Sequence, residues 1–163
     1  MMRRDFLSRT AAVLGLGAAA TAATRTGAAE GDGPYEVTRT EEEWREMLSD
    51  AEYRVMREEG TERAFSSELH DLKAEGTYLC RGCDQALYSS QHKYDSGTGW
   101  PSFWQPVADS AIGTKPDRSL FMTRTEVHCS RCGSHLGHIF DDGPDPTGKR
   151  HCLNGVSLVF QEA

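Results

Sequence analysis

Hydrophobic side chains recur with a helical period near the start of the chain. The residues with this spacing are Trp44, Met47, Leu48 and Ala51, followed by Val55 and Met56. Thr40 and Glu43 match a capping box, and Ser49 can cap a second helix that Gly60 stops. We therefore expect a first helix near residues 40–48 and a second helix directly after it.

After Gly60 the apolar segments become short, and glycine or proline interrupts the chain every few residues. This pattern is typical of a fold built from short strands. The predicted strand segments are Thr77–Leu79, Ala86–Tyr88, Leu120–Val127 and Leu153–Phe160. The pattern predicts a mainly β domain over residues 40–163 that begins with two short helices.

The first 29 residues have the composition of an export signal. Arg3 and Arg4 precede an apolar, alanine-rich run that is shorter than the roughly 20 residues needed to span a bilayer. The adjacent arginines resemble the twin-arginine signal, which directs folded proteins across a membrane. We expect export to the periplasm or the extracellular space, with membrane anchoring if the signal stays attached. A disordered alanine-rich tail is the alternative interpretation, and residues 30–39 match a linker.

The charge of the chain restricts its partners. The net charge is −7, and removal of residues 1–29, with four arginines and one aspartate, lowers it to −10. Nucleic acids and anionic membranes both require a basic surface, so we expect neither as the main partner. About 130 residues remain, which is enough for one domain with a modest core. We expect this domain to be a monomer.

Four of the five cysteines form two C-x-x-C pairs. The pairs are Cys80 with Cys83 and Cys129 with Cys132. Each pair places two thiolates on one tight turn, where Gly82 and Gly133 would relieve the backbone. Two such turns complete a tetrahedral zinc site, which is structural because the protein supplies all four ligands. Two disulfides or a thioredoxin-like redox pair are the alternatives, and export makes both more plausible.

The fifth cysteine, Cys152, has no partner in the sequence. If residues 150–160 form one strand, alternation places Arg150, Cys152 and Asn154 on one face and His151 on the other. The guanidinium of Arg150 would favour the thiolate and make the sulfur a nucleophile. A buried, unreactive cysteine is the alternative interpretation of this segment alone.

Two further segments add candidate chemistry to Cys152. Residues 96–103 surround Trp100 with glycines, and residues 135–144 begin with His135 and His138, directly after the second cysteine pair. Trp100 could equally be a core residue, and the histidines could bind a second metal or cap a turn. Together with Cys152, these segments supply a nucleophile, an aromatic wall and proton donors.

The order of these motifs resembles that of the B-type methionine-R-sulfoxide reductases. The resemblance covers residues 48–160. Its motifs are Gly60-Thr61-Glu62, the two cysteine pairs, Lys93-Tyr94-Asp95-Ser96-Gly97, Gly99-Trp100-Pro101-Ser102-Phe103, the segment from His135 to Pro144, and Arg150-His151-Cys152-Leu153-Asn154. It implies two antiparallel sheets in a small barrel-like sandwich, with short N-terminal helices and one structural Zn²⁺ per chain.

The resemblance also implies a role for seven residues. They are Cys152 as the nucleophile, Trp100 as the platform for the substrate methyl group, His135, His138 and Asn154 as polar groups of the site, and Asp142 and Arg150 as polar positions near the reactive sulfur. The implied reaction reduces protein-bound or free methionine R-sulfoxide through a sulfenic acid at Cys152, with a histidine as the acid. The implied partners are oxidised proteins or peptides and a thioredoxin-like or small-thiol reductant.

One position departs from the family pattern. Many members carry a resolving cysteine where this chain has Thr98. If zinc holds the four paired cysteines, no second thiol remains for a disulfide with Cys152, so an external thiol must recycle it. Two rival functions stay open here: a secreted zinc-ribbon binding module without catalysis, and a thiol-disulfide oxidoreductase that uses a C-x-x-C pair.

Overall fold

A computed structural model describes residues 35–118 and 123–163. The predicted export signal and the first part of the predicted linker lie outside the described residues. Within these two ranges, no helix has both the length and the apolar character that a membrane crossing requires.

Two short helices open the domain, as the spacing predicts. Helix α1 spans Glu41–Met47 and helix α2 spans Asp50–Met56. Both begin with a complete capping box, made by Thr40 with Glu43 and by Ser49 with Glu52. The second helix ends at Met56, four residues before the glycine that was expected to stop it.

Nine strands form two antiparallel sheets in the part of the chain that is described. The strands are β1 (Gly76–Cys80), β2 (Ala86–Ser89), β3 (Lys93–Tyr94), β4 (Ser102–Phe103), β5 (Ile112–Asp117), β6 (Arg124–Cys129), β7 (His135–Phe140), β8 (Arg150–Leu153) and β9 (Leu158–Glu162). The three-stranded sheet has the order β2-β1-β9, and the six-stranded sheet has the order β3-β4-β8-β7-β6-β5. Short 3-10 turns lie at Glu68–His70, Ser90–His92, Asp109–Ala111 and Gly155–Ser157. The predicted mainly β architecture is confirmed, although each sheet is open and neither closes into a barrel.

The single strand expected over residues 150–160 was wrong. The chain leaves the six-stranded sheet after Leu153, makes the 3-10 turn Gly155–Ser157, and enters the other sheet at Leu158. The cause is the buried carboxylate of Glu62, which accepts hydrogen bonds from the backbone N–H groups of Gly155 (2.6 Å) and Val156 (3.0 Å). The predicted alternation therefore holds only within β8, where His151 is buried and Cys152 faces the opposite side.

The predicted strand Leu120–Val127 is shifted in the structure. Strand β6 begins at Arg124 and continues to Cys129, while residues 119–122 lie outside the described residues. This extension carries the strand directly into the second cysteine turn.

The core lies between the two sheets and the helices. Its largest members are Trp44, Met56, Tyr78, Leu87, Tyr88, Phe103, Leu136, Leu153 and Leu158. Tyr78 and Phe103 meet edge to face with their ring centroids 4.9 Å apart, which joins the two sheets through aromatic contact. Residues 35–39, the second half of the predicted linker, also pack on the domain, because Val37 N–H donates to the carbonyl of Arg131 (2.9 Å).

Candidate active site

The four paired cysteines converge on one point, as expected. Their sulfurs lie within 4.8 Å of one another. The sulfurs of Cys80 and Cys132 are 3.6 Å apart, as are those of Cys83 and Cys129. Zinc–sulfur bonds of about 2.3 Å in a tetrahedron place the sulfurs about 3.8 Å apart, whereas a disulfide requires about 2.05 Å. The geometry fits a structural zinc ion, and none of the four cysteines forms a disulfide in the structure.

The glycines of the cysteine turns have different roles. Gly133 has a φ of +68°, a left-handed conformation that glycine adopts without strain. In the first turn, Asp84 takes the left-handed conformation (φ +59°) and Gly82 does not. A Cβ atom at Gly82 would lie 2.9 Å from the Ser134 hydroxyl and 3.2 Å from the Trp44 ring. Gly82 is required by close packing and not by its dihedral angles.

A cleft of about 120 Å³ contains most of the predicted reactive residues. It is lined by Thr61, Trp100, Arg124, Gly137, His138, Phe140, Cys152 and Asn154. Three larger depressions, of about 390, 520 and 330 Å³, are lined by none of the seven predicted site residues. The small cleft is therefore the candidate active site, because the predicted site residues line it and do not line the larger cavities.

Strand pairing brings Cys152 and His138 together. In the ladder between β7 and β8 these two residues are direct partners, and on the other side Cys152 pairs with Ser102 of β4. Side chains of directly opposed residues lie on the same face of a sheet, about 4.5–5.5 Å apart at Cβ. The thiol of Cys152 and the imidazole of His138 consequently share one wall of the cleft.

Burial dominates the chemistry of Cys152. Loss of solvent raises the pKa of the thiol above its ordinary value, against the smaller effects of the Arg150 charge and of hydrogen bonds from Thr98 and Arg150. Arg150 therefore favours the thiolate, as the sequence predicts, but burial outweighs its effect. The Arg150 guanidinium also interacts with a second group, since it donates two hydrogen bonds to the carboxylate of Asp142 (2.8 and 2.9 Å). Asp142 is itself exposed and does not line the cleft.

His138 is held by an acidic residue that the sequence did not reveal. Its Nε2 lies 2.8 Å from the carboxylate of Asp117, and this carboxylate also pairs with Arg124 at 2.6 Å. Burial lowers the pKa of His138, and the hydrogen bond to Asp117 opposes that shift only in part. The imidazole is therefore neutral near pH 7.

His135 lies behind His138 and does not line the cleft. It is 2% exposed, and its ring meets that of His138 edge-on with 5.4 Å between centroids. Its Nδ1 lies 2.7 Å from the buried carboxylate of Glu126, which also bonds His128 at 2.8 Å. Burial raises the pKa of Glu126, but the two histidine hydrogen bonds outweigh burial and hold this pKa at about 2.

Trp100 and Asn154 complete the cleft and are fixed by the same segment. The indole N–H of Trp100 donates to the carbonyl of Glu62 (3.2 Å). The amide oxygen of Asn154 accepts from the N–H of Glu62 (2.9 Å), and its NH₂ donates to the carbonyl of Leu136 (3.0 Å). Residue 62 therefore holds both the aromatic wall and the end of β8 in place.

Residue 98 lies near the Cys152 sulfur, because its hydroxyl lowers the pKa of that thiol. The Thr98 hydroxyl lies 2.8 Å from the hydroxyl of Ser96. Ser96 in turn bonds Ser102, the strand partner of Cys152, at 2.7 Å. The position where a resolving cysteine is absent is thus close to the sulfur that it would resolve.

Sequence comparison assigns the chain to a family. The SelR domain matches residues 48–162. The chain belongs to the SelR domain family. The chain is 54% identical over 125 residues to "Peptide methionine sulfoxide reductase MsrB" of Methanosarcina barkeri, covering 77% of this chain and 88% of that protein. It is 50% identical over 128 residues to the MsrB protein of Leptospira interrogans, covering 78% and 98%. It is also 50% identical over 129 residues to the chloroplastic peptide methionine sulfoxide reductase B1 of rice, covering 78% and 60%.

Several residues of this SelR domain were not predicted as site residues. They are Thr61, Asp117, Arg124 and Phe140 at or beside the cleft, with Glu62 and Glu126 behind it. Glu62 lies within a quoted motif, and Glu126 is an acidic residue next to Val127 in a strand segment, a weak signal for a buried carboxylate. Asp117 and Arg124 carry no motif, because only the pairing of β5 with β6 places them together.

Proposed function

We propose that this protein reduces the R epimer of methionine sulfoxide in peptides and proteins to methionine. The observation that carries the proposal is the direct pairing of Cys152 with His138 in a cleft whose third wall is Trp100. A chain of the SelR domain family with this pairing has a nucleophile, a proton carrier and an apolar surface in one small space. The names of the relatives support the same substrate.

The proposed step begins with a neutral thiol and a neutral imidazole. His138 accepts the proton of Cys152 and delivers it to the sulfoxide oxygen while the Cys152 sulfur attacks the sulfoxide sulfur. The oxygen then leaves the substrate for Cys152, so the substrate sulfur is reduced to a thioether and Cys152 is oxidised to a sulfenic acid. The one proton of the thiol ends on the sulfenic oxygen, and the step consumes no other proton.

The surrounding residues stabilise the charges that form during this step. Arg150 faces the developing thiolate and is oriented by Asp142, while Asp117 stabilises the imidazolium of His138. His135, held by Glu126, packs behind His138 and fixes its ring. These residues favour the charged transition state without making the resting thiol a thiolate.

The walls of the cleft supply a reason for the choice of epimer. Trp100 and Phe140 form an apolar side, and His138 forms a polar side. The R and S epimers place the methyl group and the oxygen in exchanged positions around sulfur. One epimer therefore presents its oxygen to His138 and its methyl to Trp100, whereas the other presents them the wrong way round.

External thiols complete the proposed cycle. The chain has five cysteines, and zinc binding uses four of them. The sulfenic acid at Cys152 is reduced by two external thiols, which become a disulfide while water is released. A thioredoxin-like protein or a small thiol would serve as this reductant, and the protein would act as a monomer.

We also propose that the enzyme works outside the cytoplasm. The twin arginines at Arg3 and Arg4 support export of the folded protein. Folding before export would allow zinc to bind the thiolates in a reducing compartment. A fusion of residues 1–40 to a reporter, with the two arginines changed to lysine as the control, tests this part of the proposal.

Separate assays of the two sulfoxide epimers test the proposed reaction. We expect the purified protein to reduce a peptide with methionine R-sulfoxide and to leave the S epimer unchanged. Cys152→Ser should abolish turnover while the zinc content stays at one ion per chain. Reduction of the S epimer would contradict the proposed orientation, and a fully active Cys152→Ser variant would contradict the proposed nucleophile.

A further inference from the structure

The cleft is too small to hold more than the end of one side chain. Pockets that enclose a whole small molecule have volumes of about 300–1,000 Å³, whereas this cleft has about 120 Å³. The backbone of a substrate residue and its neighbours along the chain must lie on the rim. The rim is therefore the place where the protein can distinguish one peptide from another.

One exposed aromatic ring packs against the loop that carries Trp100. Among the described residues, three large hydrophobic side chains are exposed: Met47, Phe65 and Val107. Phe65 is the most exposed of them, at 63% of its surface, although burial of an aromatic ring is strongly favourable. Of the three, it is also the one whose contacts lead to the cleft.

Phe65 is fixed to the loop that forms the cleft. Its backbone N–H donates to the carbonyl of Gly99 (2.8 Å), and Gly99 directly precedes Trp100. On the other side of Gly99, the Thr98 hydroxyl is connected through Ser96 to Ser102, the strand partner of Cys152. The residue that contacts the exposed ring therefore lies between Trp100 of the cleft and a hydrogen-bonded chain that leads to Cys152.

The orientation of the ring is also fixed. A Cβ atom at Gly99 would lie 2.7 Å from the Phe65 ring, so the ring packs on bare backbone that only glycine can supply. His70 meets the ring edge-on, with 5.4 Å between centroids at 88°. Phe65 itself has a φ of +62°, a conformation that bulky residues rarely adopt. The ring is held in place from two sides while much of its surface faces solvent.

We propose that Phe65 is the docking surface for an apolar side chain that flanks methionine sulfoxide in an extended polypeptide substrate. This inference rests on the proposed function and names the substrate class of the same site. An exposed aromatic ring gains free energy when it is covered by another apolar side chain, so an apolar neighbour of the methionine sulfoxide is the group that it would bind. A rigid, exposed aromatic ring binds such residues at a low cost in conformational entropy.

Kinetics with two matched peptides test the docking surface. Both are pentapeptides with methionine R-sulfoxide at the centre, one flanked by leucine and the other by glycine. We expect the wild type to prefer the leucine peptide about tenfold in kcat/KM, and Phe65→Ala to bring the two values together through a raised KM for the leucine peptide. Phe65→Trp should keep the preference, and so should Val107→Ala, which truncates an exposed side chain elsewhere.

A binding measurement keeps the test independent of turnover. In the Cys152→Ser background, calorimetry should show that Phe65→Ala weakens binding of the leucine peptide about tenfold and leaves the glycine peptide unchanged. If no form of the protein turns over either peptide, the proposed function fails while this measurement still decides the role of Phe65. An equal loss of affinity for both peptides, or no loss for either, overturns the docking surface. A dimer that Phe65→Ala dissociates without altering peptide preference would also overturn it, because the ring would then bind a second copy of the chain.

Discussion

Cys152 and His138 show how burial sets the protonation states of a reactive pair. Both are removed from solvent, and removal disfavours the charged form of each, so the pKa of the thiol rises and the pKa of the imidazole falls. The pair therefore rests as thiol and imidazole, and charge forms only while the proton is in transit. In the proposed reaction, Arg150 then stabilises the developing thiolate of Cys152, and Asp117 stabilises the imidazolium of His138.

The protonation states predict a broad pH profile for kcat/KM. The proposed thiol–imidazole pair is lost below the pKa of His138, which burial lowers from the ordinary histidine value, and above the pKa of Cys152, which burial raises from the ordinary thiol value. Activity should accordingly stay high from slightly acidic to alkaline pH, and fall on the acid side as His138 becomes protonated. Steady-state rates across this range, with the substrate well below KM, measure it. A decline that begins near neutral pH as the pH rises would instead indicate a resting thiolate with an imidazolium acid.

Thr98 makes a second prediction at the scale of single residues. Because its hydroxyl is near enough to Cys152 to lower the pKa of the thiol, Thr98→Cys should place a second sulfur within reach of a disulfide. Oxidation by one equivalent of sulfoxide should then give an internal disulfide and faster recycling by a thioredoxin-like reductant. Thr98→Ser, which keeps the hydroxyl, is the control and should retain the sulfenic acid. Loss of two free thiols on oxidation, without zinc release, identifies the disulfide; its absence would mean that the loop cannot bring the sulfurs together.

The turn between β8 and β9 depends on one distant side chain. Glu62 accepts two backbone hydrogen bonds from residues 155 and 156, and its own backbone holds Trp100 and Asn154. Sequence periodicity cannot show this turn, because the residue that causes it is more than 90 positions away. The same segment was consequently predicted as one continuous strand.

Glu62→Ala should destabilise the fold and disturb the cleft. The substitution leaves two buried N–H groups without an acceptor, which costs about 1–3 kcal/mol in the free energy of unfolding. Urea unfolding measures this loss, and KM should rise because Trp100 and Asn154 lose their support. Glu68→Ala, at an exposed position in the same segment, is the matched control. Equal unfolding midpoints for the two variants would show that the carboxylate does not hold the turn.

Local signals predicted some elements well and missed others. The helices follow from Thr40 and Ser49, because capping boxes act within four residues. The convergence of the four zinc ligands follows from the duplicated C-x-x-C spacing, because two such turns together supply the four ligands of a tetrahedral zinc ion. The pairing of Cys152 with His138 depends on strand register, and the raised pKa of Cys152 depends on burial. Neither can be obtained from residue order without the fold.

At the scale of the molecule, the zinc site connects the two sheets. Cys80 ends β1 of the three-stranded sheet, and Cys129 ends β6 of the six-stranded sheet. His135 begins the strand that follows the second cysteine turn, and it packs behind His138. Zinc would therefore take no part in the proposed reaction, but it would position one side of the candidate active site.

Removal of zinc should unfold the domain cooperatively. Structural zinc contributes folding free energy directly, so a strong chelator or Cys80→Ser should lower the melting temperature and abolish activity together. Metal analysis should give one zinc per chain in the wild type and in Cys152→Ser, which serves as the control. A metal-free protein that keeps its melting temperature and activity would contradict a structural zinc site.

The proposed cycle depends on a sulfenic acid at Cys152 that meets no second thiol within the chain. Intact-mass measurement after exposure to methionine R-sulfoxide, without any reductant, tests this most directly. We expect one methionine formed per chain, one added oxygen in the protein mass, and labelling of Cys152 by a sulfenic-acid reagent, with zinc still bound. A stalled protein with unchanged oxygen content and a disulfide between Cys152 and a zinc-binding cysteine, with zinc released, would contradict the proposed chemistry.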